Sequence, residues 1–568
     1  MEIRKDDSQN MGIRLLKKGQ NGILHAIFSR MGLFVVLLAA QALFLVSTYL
    51  WFREFRPHII SGLAVFTVIM VLYLLNCSLD PTAKITWLVV VMLTPVFGAL
   101  LYFYTRMDIG HRALKARFSH IIAVTRDSIP QSEEAYHSLE EEDPGAAALV
   151  RYIQRSGCHP VYNRTLVTYF PLGEDKFAEL LRQLEGARRF IYLEYFIIAE
   201  GMMWGEVLEI LARKAKEGVD VRVMYDGTCE FALLPHKYLK LLRKLGIRCK
   251  VFAPVSPFIS THYNYRDHRK ILVIDGHTAF NGGVNLADEY INQVQRFGHW
   301  KDTAVMLKGE AVKSFTLMFL QMWNMDEREL EFGKSLAYPA MPGGQLPGQS
   351  EIQPEAQPEV QAGEQSEVQA GEQPEVQPVE RPKGNAKGYV VPYGDWPLDD
   401  DKLGERVYMD ILNRARRYVH IMTPYLILDG EMETALKFAA ERGVEVALVL
   451  PGIPDKKMPY ALAKTHYRSL LESGVKIYEY TPGFVHAKVF CCDGKEAVVG
   501  TINLDYRSLY HHFECATYLY GTDCIADIEA DFQAMFPKCR QVTPETVRKE
   551  KWTMKLAGVL LKAAAPLL

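Results

Sequence analysis

The sequence predicts an α/β protein built from two similar domains, each a sheet with helices on its faces, behind a set of apolar N-terminal helices. Three observations carry that prediction. Three uncharged apolar runs open the 568-residue chain, a strand–helix rhythm occurs twice, and a Gln/Glu/Pro tract separates the two occurrences. A chain of this length suits three or four folding units rather than one core.

The apolar runs span 33–50, 59–77 and 85–104. Each approaches the roughly 20 residues that a helix needs to cross the hydrocarbon layer. Tyr49, Trp51, Trp87 and Tyr104 lie near the run ends, where amphipathic rings favour the interface. The first run lies too deep in the chain, and lacks the small-residue cleavage site, to be a signal peptide. A buried core helix is the competing reading of any single run. Three in close succession favour insertion, and with it a multi-pass protein of the cell membrane. Arg4, Lys5, Arg14, Lys17, Lys18 and Arg30 place the leading segment in the cytoplasm, whereas Arg106, Arg112, Lys115 and Arg117 pull the far end of the third run inward as well. Two spans and three are both open. Pro95 makes the third run the candidate for a broken helix or hairpin.

The soluble body begins near Tyr162. β-type runs at 190–198, 219–225 and 248–252 alternate with helical periods at 203–216 and 238–245. The rhythm returns with strands at 418–425, 444–450 and 475–480 and helices at 431–442 and 460–473. Two copies of one unit follow. The tract between them repeats EVQAGEQ and holds no aromatic residue. It cannot bury enough surface to offset its ordering entropy and reads as a disordered linker. The expected organisation is a membrane region at 1–110, a connecting segment at 111–161, the first domain at 162–335, the linker at 336–388 and the second domain at 389–568. The last stretch, 552–568, reads equally as an amphipathic surface helix or a core helix.

Net charge is −2 with a pI near 6.8. No basic stripe marks a nucleic-acid binder. Eight Glu and no Lys or Arg fall within 351–380, so the rest of the chain is mildly basic. That suits an anionic lipid surface, although an ordinary mixed surface explains it equally. The nine cysteines form no CxxC pair. They indicate neither a zinc site nor a disulfide framework, and point to a reducing face of the membrane. No metal or cofactor is implied.

The chemistry lies in a pair of matched motifs. His268, Lys270, Asp275, Gly282, Gly283 and Asn285 recur at identical offsets as His486, Lys488, Asp493, Gly500, Thr501 and Asn503. Lys270–Ile274 and Lys488–Cys492 read as strands, so His and Lys share one face while Ile271, Val273, Val489 and Cys491 point to the other. An Asp-Gly turn ends each strand. Asp275 and Asp493 complete the motif's catalytic set, but a turn role, binding their own backbone, is the stronger expectation. The small residues Gly283 and Thr501 let a phosphate oxygen approach backbone, and Asn285 and Asn503 supply amide donors to it. One HxKx₄D is weak and fits a surface strand; two with matching Gly and Asn offsets are strong. Two such strands side by side form a metal-free phosphoryl-transfer site. One imidazole attacks phosphorus, and the other gives and takes the proton. The lysines and asparagines stabilise the non-bridging oxygens.

These pairs resemble the twin HKD motifs of the phospholipase D superfamily, over roughly 162–335 and 389–537. The resemblance implies two homologous phospholipase D-like α/β domains in pseudo-two-fold packing, with the motifs meeting at their interface. It implies His268 as nucleophile and His486 as general acid/base. It also implies that Asp302, in His299-Trp300-Lys301-Asp302, and Glu514 orient the histidines, as a triad carboxylate does. Within the superfamily, KITWLVVVMLTPVFGALLYFYTR at 84–106, Leu193-Glu194-Tyr195-Phe196, Tyr225-Asp226-Gly227 and the 499–508 segment resemble bacterial cardiolipin synthases. Those enzymes' substrate, phosphatidylglycerol in a phospholipid membrane, is then the implied partner. His512 and Asp267 depart from the subfamily pattern, where Asn is usual. A membrane phospholipase D that uses water, and an inactive lipid-binding protein, are the rival readings; the intact His, Lys and Asn pairs argue against the second.

Overall fold

The computed structural model describes residues 39–336 and 386–564, apart from 40, 45, 53, 78, 80, 107–108, 236, 255–264 and 400. The Gln/Glu/Pro tract lies outside the described residues.

Among the described residues, one helix, Arg56–Asn76, is long and apolar enough to cross a membrane. Part of the first apolar run lies outside them. The third run is not a straight span. It forms two helices, Pro81–Leu93 and Pro95–Arg106, that pack on each other. The rings of Trp87 and Tyr102 lie 5.2 Å apart, where fifteen residues of straight helix would separate them by about 22 Å. Gly98 permits the fold-back, because a Cβ there would meet the Val90 carbonyl oxygen at 2.8 Å. Pro95, which cannot complete the helical ladder, marks the break. Among the described residues, one helix, Arg56–Asn76, thus has the length of a span, and the third run is a folded-back pair.

The first half contributes β1 (Thr165–Phe170), β2 (Phe190–Tyr195), β3 (Asp220–Asp226), β4 (Arg248–Phe252), β5 (Arg266–Asp267), β6 (Lys270–Ile274), β7 (Thr278–Gly282), β8 (His299–Lys301) and β9 (Ala304–Gly309). Its sheet runs β1-β9-β7-β6-β2-β3-β4. The second half contributes β10 (Tyr389–Asp395), β11 (Tyr418–Met422), β12 (Glu445–Pro451), β13 (Lys476–Tyr480), β14 (Gly483–Val485), β15 (Val489–Cys492), β16 (Glu496–Gly500), β17 (His512–Tyr520) and β18 (Cys539–Gln541). Its sheet runs β10-β17-β16-β15-β11-β12-β13-β18. Up to the extra edge strand β18, the two orders are the same. In each, three strands joined by helices run parallel, and the motif hairpin joins them antiparallel.

Strand alternation sorts the side chains into layers. Ile271 and Val273 meet Val489 and Cys491 in one central core, with the helix Val312–Trp323, buried at every residue but Lys313, between the sheets. Leu272 and Ile274 face the outer core of the first half, and Phe490 and Cys492 that of the second. The connecting segment is helical. Glu133–Glu142 and Pro144–Gly157 pack against the second half's outer core, through Leu139, Leu149, Val150 and Ile153. The C-terminal helix Trp552–Ala564 lies on Lys457–Glu472, with Gly558 pressed against Ala461 and Thr465. Its Trp552, Leu556 and Val559 stay exposed on the other side.

The halves are stitched by two very short parallel pairings. β8 runs beside β14, and β5 runs beside the start of β17. Each joins the segment just before one motif to the segment just after the other.

Candidate active site

That exchange decides where the histidines sit. Both precede their strands, since β6 begins at Lys270 and β15 at Val489. The His268 N–H donates to the Phe513 carbonyl at 2.9 Å, and the His486 N–H to the Lys301 carbonyl at 2.7 Å. The residues that follow those carbonyls are Glu514 and Asp302. Each carboxylate therefore meets the histidine of the opposite half. His268 Nδ1 lies 2.9 Å from both Glu514 oxygens, and His486 Nδ1 lies 2.6 Å from Asp302 Oδ2. Both carboxylates are fully buried.

With Nδ1 donating to a carboxylate, Nε2 is the nitrogen left for chemistry on each ring. Burial holds His268 well below its ordinary value, against the pull of Glu514. Burial and the Lys488 charge hold His486 down to about 4. Burial alone would raise Glu514, but His268 and His512 beside it keep it below the usual range. His486 and Lys488 do the same for Asp302. Two neutral imidazoles thus face two ionised carboxylates.

The lysines close the centre. Lys270 Nζ donates to the His268 carbonyl at 2.5 Å, and Lys488 Nζ lies 2.9 Å from His486 Nδ1 and on the His486 carbonyl. Burial pushes Lys270 down to about 8, and burial together with the Lys270 charge pushes Lys488 down to about 7. A third buried lysine joins them. Lys176 donates to the Tyr195 hydroxyl and the Val284 carbonyl, both at 3.2 Å, and burial lowers it to about 7. It feels both Asp302 and Lys270. Buried ammonium groups whose charged form burial disfavours gain most from an arriving phosphodiester anion.

Other motif residues serve the frame. Asp275 and Asp493 stand at the far ends of the motif strands, with φ of 52° and 54°. Each carboxylate accepts three backbone N–H groups, from Arg188, Arg189 and Phe190 or from Arg416, Arg417 and Tyr418. They pin the start of β2 and β11 and do not touch the histidines. Their contacts are structural, as the stronger expectation has it, but with the neighbouring strand's backbone in place of their own turn. Gly283 makes room for a carboxylate, since a Cβ would meet Asp302 Oδ1 at 2.0 Å. Its counterpart Thr501 donates its hydroxyl to Glu514. Asn285 is spent at both ends, accepting from the Ile197 N–H at 3.0 Å and donating to the Tyr290 hydroxyl at 2.8 Å. Asn503 donates to Asp505 at 3.0 Å, and its carbonyl oxygen is buried without a partner.

Aromatic rings wall the two histidines differently. Phe196 lies edge-on to His268 at 4.9 Å, with the His512 ring 5.4 Å away. Tyr290, Trp300 and Phe484 surround His486 at 5.4, 5.4 and 5.9 Å. Behind His268, Arg269 pairs with Glu194 at 2.5 Å and with Asp267 at 3.3 Å, so Asp267 completes a buried ion network. Sequence reasoning missed Lys176 and Tyr290. The signal for Lys176 was present: it occupies the apolar stripe of Gly173–Glu185 with Phe177, Leu180 and Leu184.

Family models and known proteins match this chain. The family model described as "Cardiolipin synthase, PLD-like domain" matches residues 180–323 and 408–536, and "Phospholipase_D-nuclease N-terminal" matches 62–106. An uncharacterized protein of Streptococcus mutans is 54% identical over 498 residues, covering 88% of this chain and 99% of its own. A cardiolipin synthase of Halalkalibacterium halodurans is 31% identical over 494 residues, covering 86% and 89%. A phosphatidylserine synthase structure from Haemophilus influenzae superposes with a TM-score of 0.51 at 14% identity, over 74% of this chain and 97% of that one, which shows the fold alone. The chain belongs to the cardiolipin synthase family of phospholipase D-like proteins.

Proposed function

We propose that this protein is a cardiolipin synthase that joins two phosphatidylglycerol molecules, with His268 as nucleophile and His486 as general acid and base. The observation that carries the reading is the crossed pair of buried His–carboxylate contacts, His268 with Glu514 and His486 with Asp302, set among Lys176, Lys270 and Lys488.

The phosphodiester anion of the first phosphatidylglycerol sits among the lysines. Its negative charge offsets their repulsion and raises the proton affinity of His486. His268 Nε2 attacks phosphorus, and a P–N bond forms as the P–O bond to glycerol breaks. Protonated His486 gives its proton to the departing glycerol oxygen. Glu514 balances the positive charge on the substituted His268 ring. A glycerol hydroxyl of a second phosphatidylglycerol then gives its proton to His486 and attacks phosphorus. The P–N bond breaks and cardiolipin leaves. Asp302 keeps His486 in the tautomer that presents Nε2.

The helix Arg56–Asn76 and the apolar runs around it anchor the enzyme as a multi-pass membrane protein, which concentrates the lipid acceptor over water. Residues 162–335 and 389–568 act as the two phospholipase D-like domains, with 336–388 as a linker between them.

The test is lipid analysis after incubating purified protein with phosphatidylglycerol vesicles, beside His268→Ala. Cardiolipin and glycerol rising together, and absent with the variant, support the reading. Phosphatidic acid in place of cardiolipin makes the enzyme a hydrolase and overturns it.

A further inference from the structure

His512 has no part in the scheme above, yet it faces the same carboxylate. It stands two residues before Glu514 on β17, on the same face of the strand. Its Nδ1 lies 3.7 Å from Glu514 Oε1, and the side chain is nine-tenths buried. That nitrogen has no hydrogen-bond partner. His268 Nδ1 lies 2.9 Å from the same oxygen. The ligand atoms of the three residues all lie within 4.8 Å of one another. In a tetrahedral zinc site with bonds of about 2.1 Å, ligand atoms stand about 3.4 Å apart. The two observed separations bracket that spacing.

We propose that His268, His512 and Glu514 form an inhibitory zinc site that captures the nucleophile. Two imidazoles and one carboxylate are the donor set of several zinc enzymes, and they select zinc over magnesium or calcium, which prefer all-oxygen shells. Binding at Nδ1 moves the proton of the neutral His268 ring to Nε2, so no proton is released, nothing is oxidised, and Nε2 loses the lone pair that attacks phosphorus. The cation draws electron density from the His268 ring and removes Glu514 as counter-charge. The inhibition rests on the function proposed above; the binding does not.

The experiment uses the full-length protein in phosphatidylglycerol vesicles, freed of metal. Zinc is titrated against cardiolipin formation for the native protein and for His512→Asn, each relative to its own metal-free rate. Outer partners of metal ligands alone shift metal affinity about 10–100-fold, so loss of an inner ligand raises the half-inhibiting concentration at least about tenfold. Binding is read separately with Co²⁺ alone. The native protein takes up one equivalent with visible d–d absorption that zinc displaces, and His512→Asn and His268→Ala lose it. Equal zinc sensitivity of His512→Asn, or a cobalt band that survives that substitution, overturns the proposal. A cobalt band lost on substitution, in a protein that makes no cardiolipin, supports the site and sinks the proposed function instead.

Discussion

The two halves share a strand order and a motif, but their histidines live in different surroundings. His268 has a carboxylate held by the Thr501 hydroxyl, a neighbouring imidazole and one phenyl edge. His486 has a carboxylate seated against Gly283, a lysine on its own Nδ1, and three aromatic walls. Duplication therefore supplies the geometry twice, and the substituents around each copy separate the roles. The lesson extends to the frame, because neither half is complete alone: each histidine takes its carboxylate from the other.

The largest expected effects come from the histidines. His268→Ala and His486→Ala each lower kcat by roughly 10⁴-fold or more with phosphatidylglycerol, read by cardiolipin formation. A good leaving group breaks their symmetry. With a nitrophenyl ester of phosphatidic acid, departure needs no proton, so His486→Ala recovers most of the release step and His268→Ala does not. Release that is equally impaired in both would erase the difference between the halves.

The carboxylates come next. Glu514→Gln and Asp302→Asn each cost about 10²–10⁴-fold. The crossing makes a sharper demand: Glu514→Gln follows His268 and fails with the nitrophenyl ester, whereas Asp302→Asn follows His486 and is relieved by it. The reverse assignment would mean that each carboxylate serves its own half.

Lys176→Met lowers kcat/KM by about tenfold, less than the 10²–10³ of a donor that touches the oxyanion directly. Its effect on stability has a defined sign. Burial lowers the Lys176 pKa from 10.5 to about 7, so the unfolded chain binds this proton more tightly than the folded one. The penalty is full below about pH 7 and fades as pH rises toward the unfolded value. The variant should melt above the native protein at neutral pH, with the gap in Tm closing toward pH 10.

The smallest effects on chemistry belong to Asp275→Ala and Asp493→Ala. Each removes an acceptor from three backbone N–H groups and costs about 1–3 kcal/mol of stability, seen in thermal melts. The rate per folded molecule stays within a few-fold of native.

Much of the fold is legible in the sequence because its signals are local. The residues at 190–195, 418–422 and 476–480 are β-branched or aromatic runs, and the observed strands begin within a residue or so of where periodicity places them. The matched offsets of His268 and His486 locate the site for the same reason. The crossing of Asp302 and Glu514 is not legible, since it depends on β5, β8 and β14, which hold two or three residues each and pair across the whole chain. Lys176 is missed because a lysine in an apolar stripe resembles one that snorkels to the surface. The fold-back of the third apolar run is half legible: Pro95 marks a break, but only the contact of Trp87 with Tyr102 shows that the chain returns on itself. Gly283 reads as room for phosphate, and the structure gives that room to Asp302.

The most direct test of the division of labour is to quench the reaction with phosphatidylglycerol during turnover, digest the protein and map the phosphatidyl group by mass spectrometry. The account predicts an adduct on His268, still present in Asp302→Asn and lost in Glu514→Gln. An adduct on His486 would contradict it.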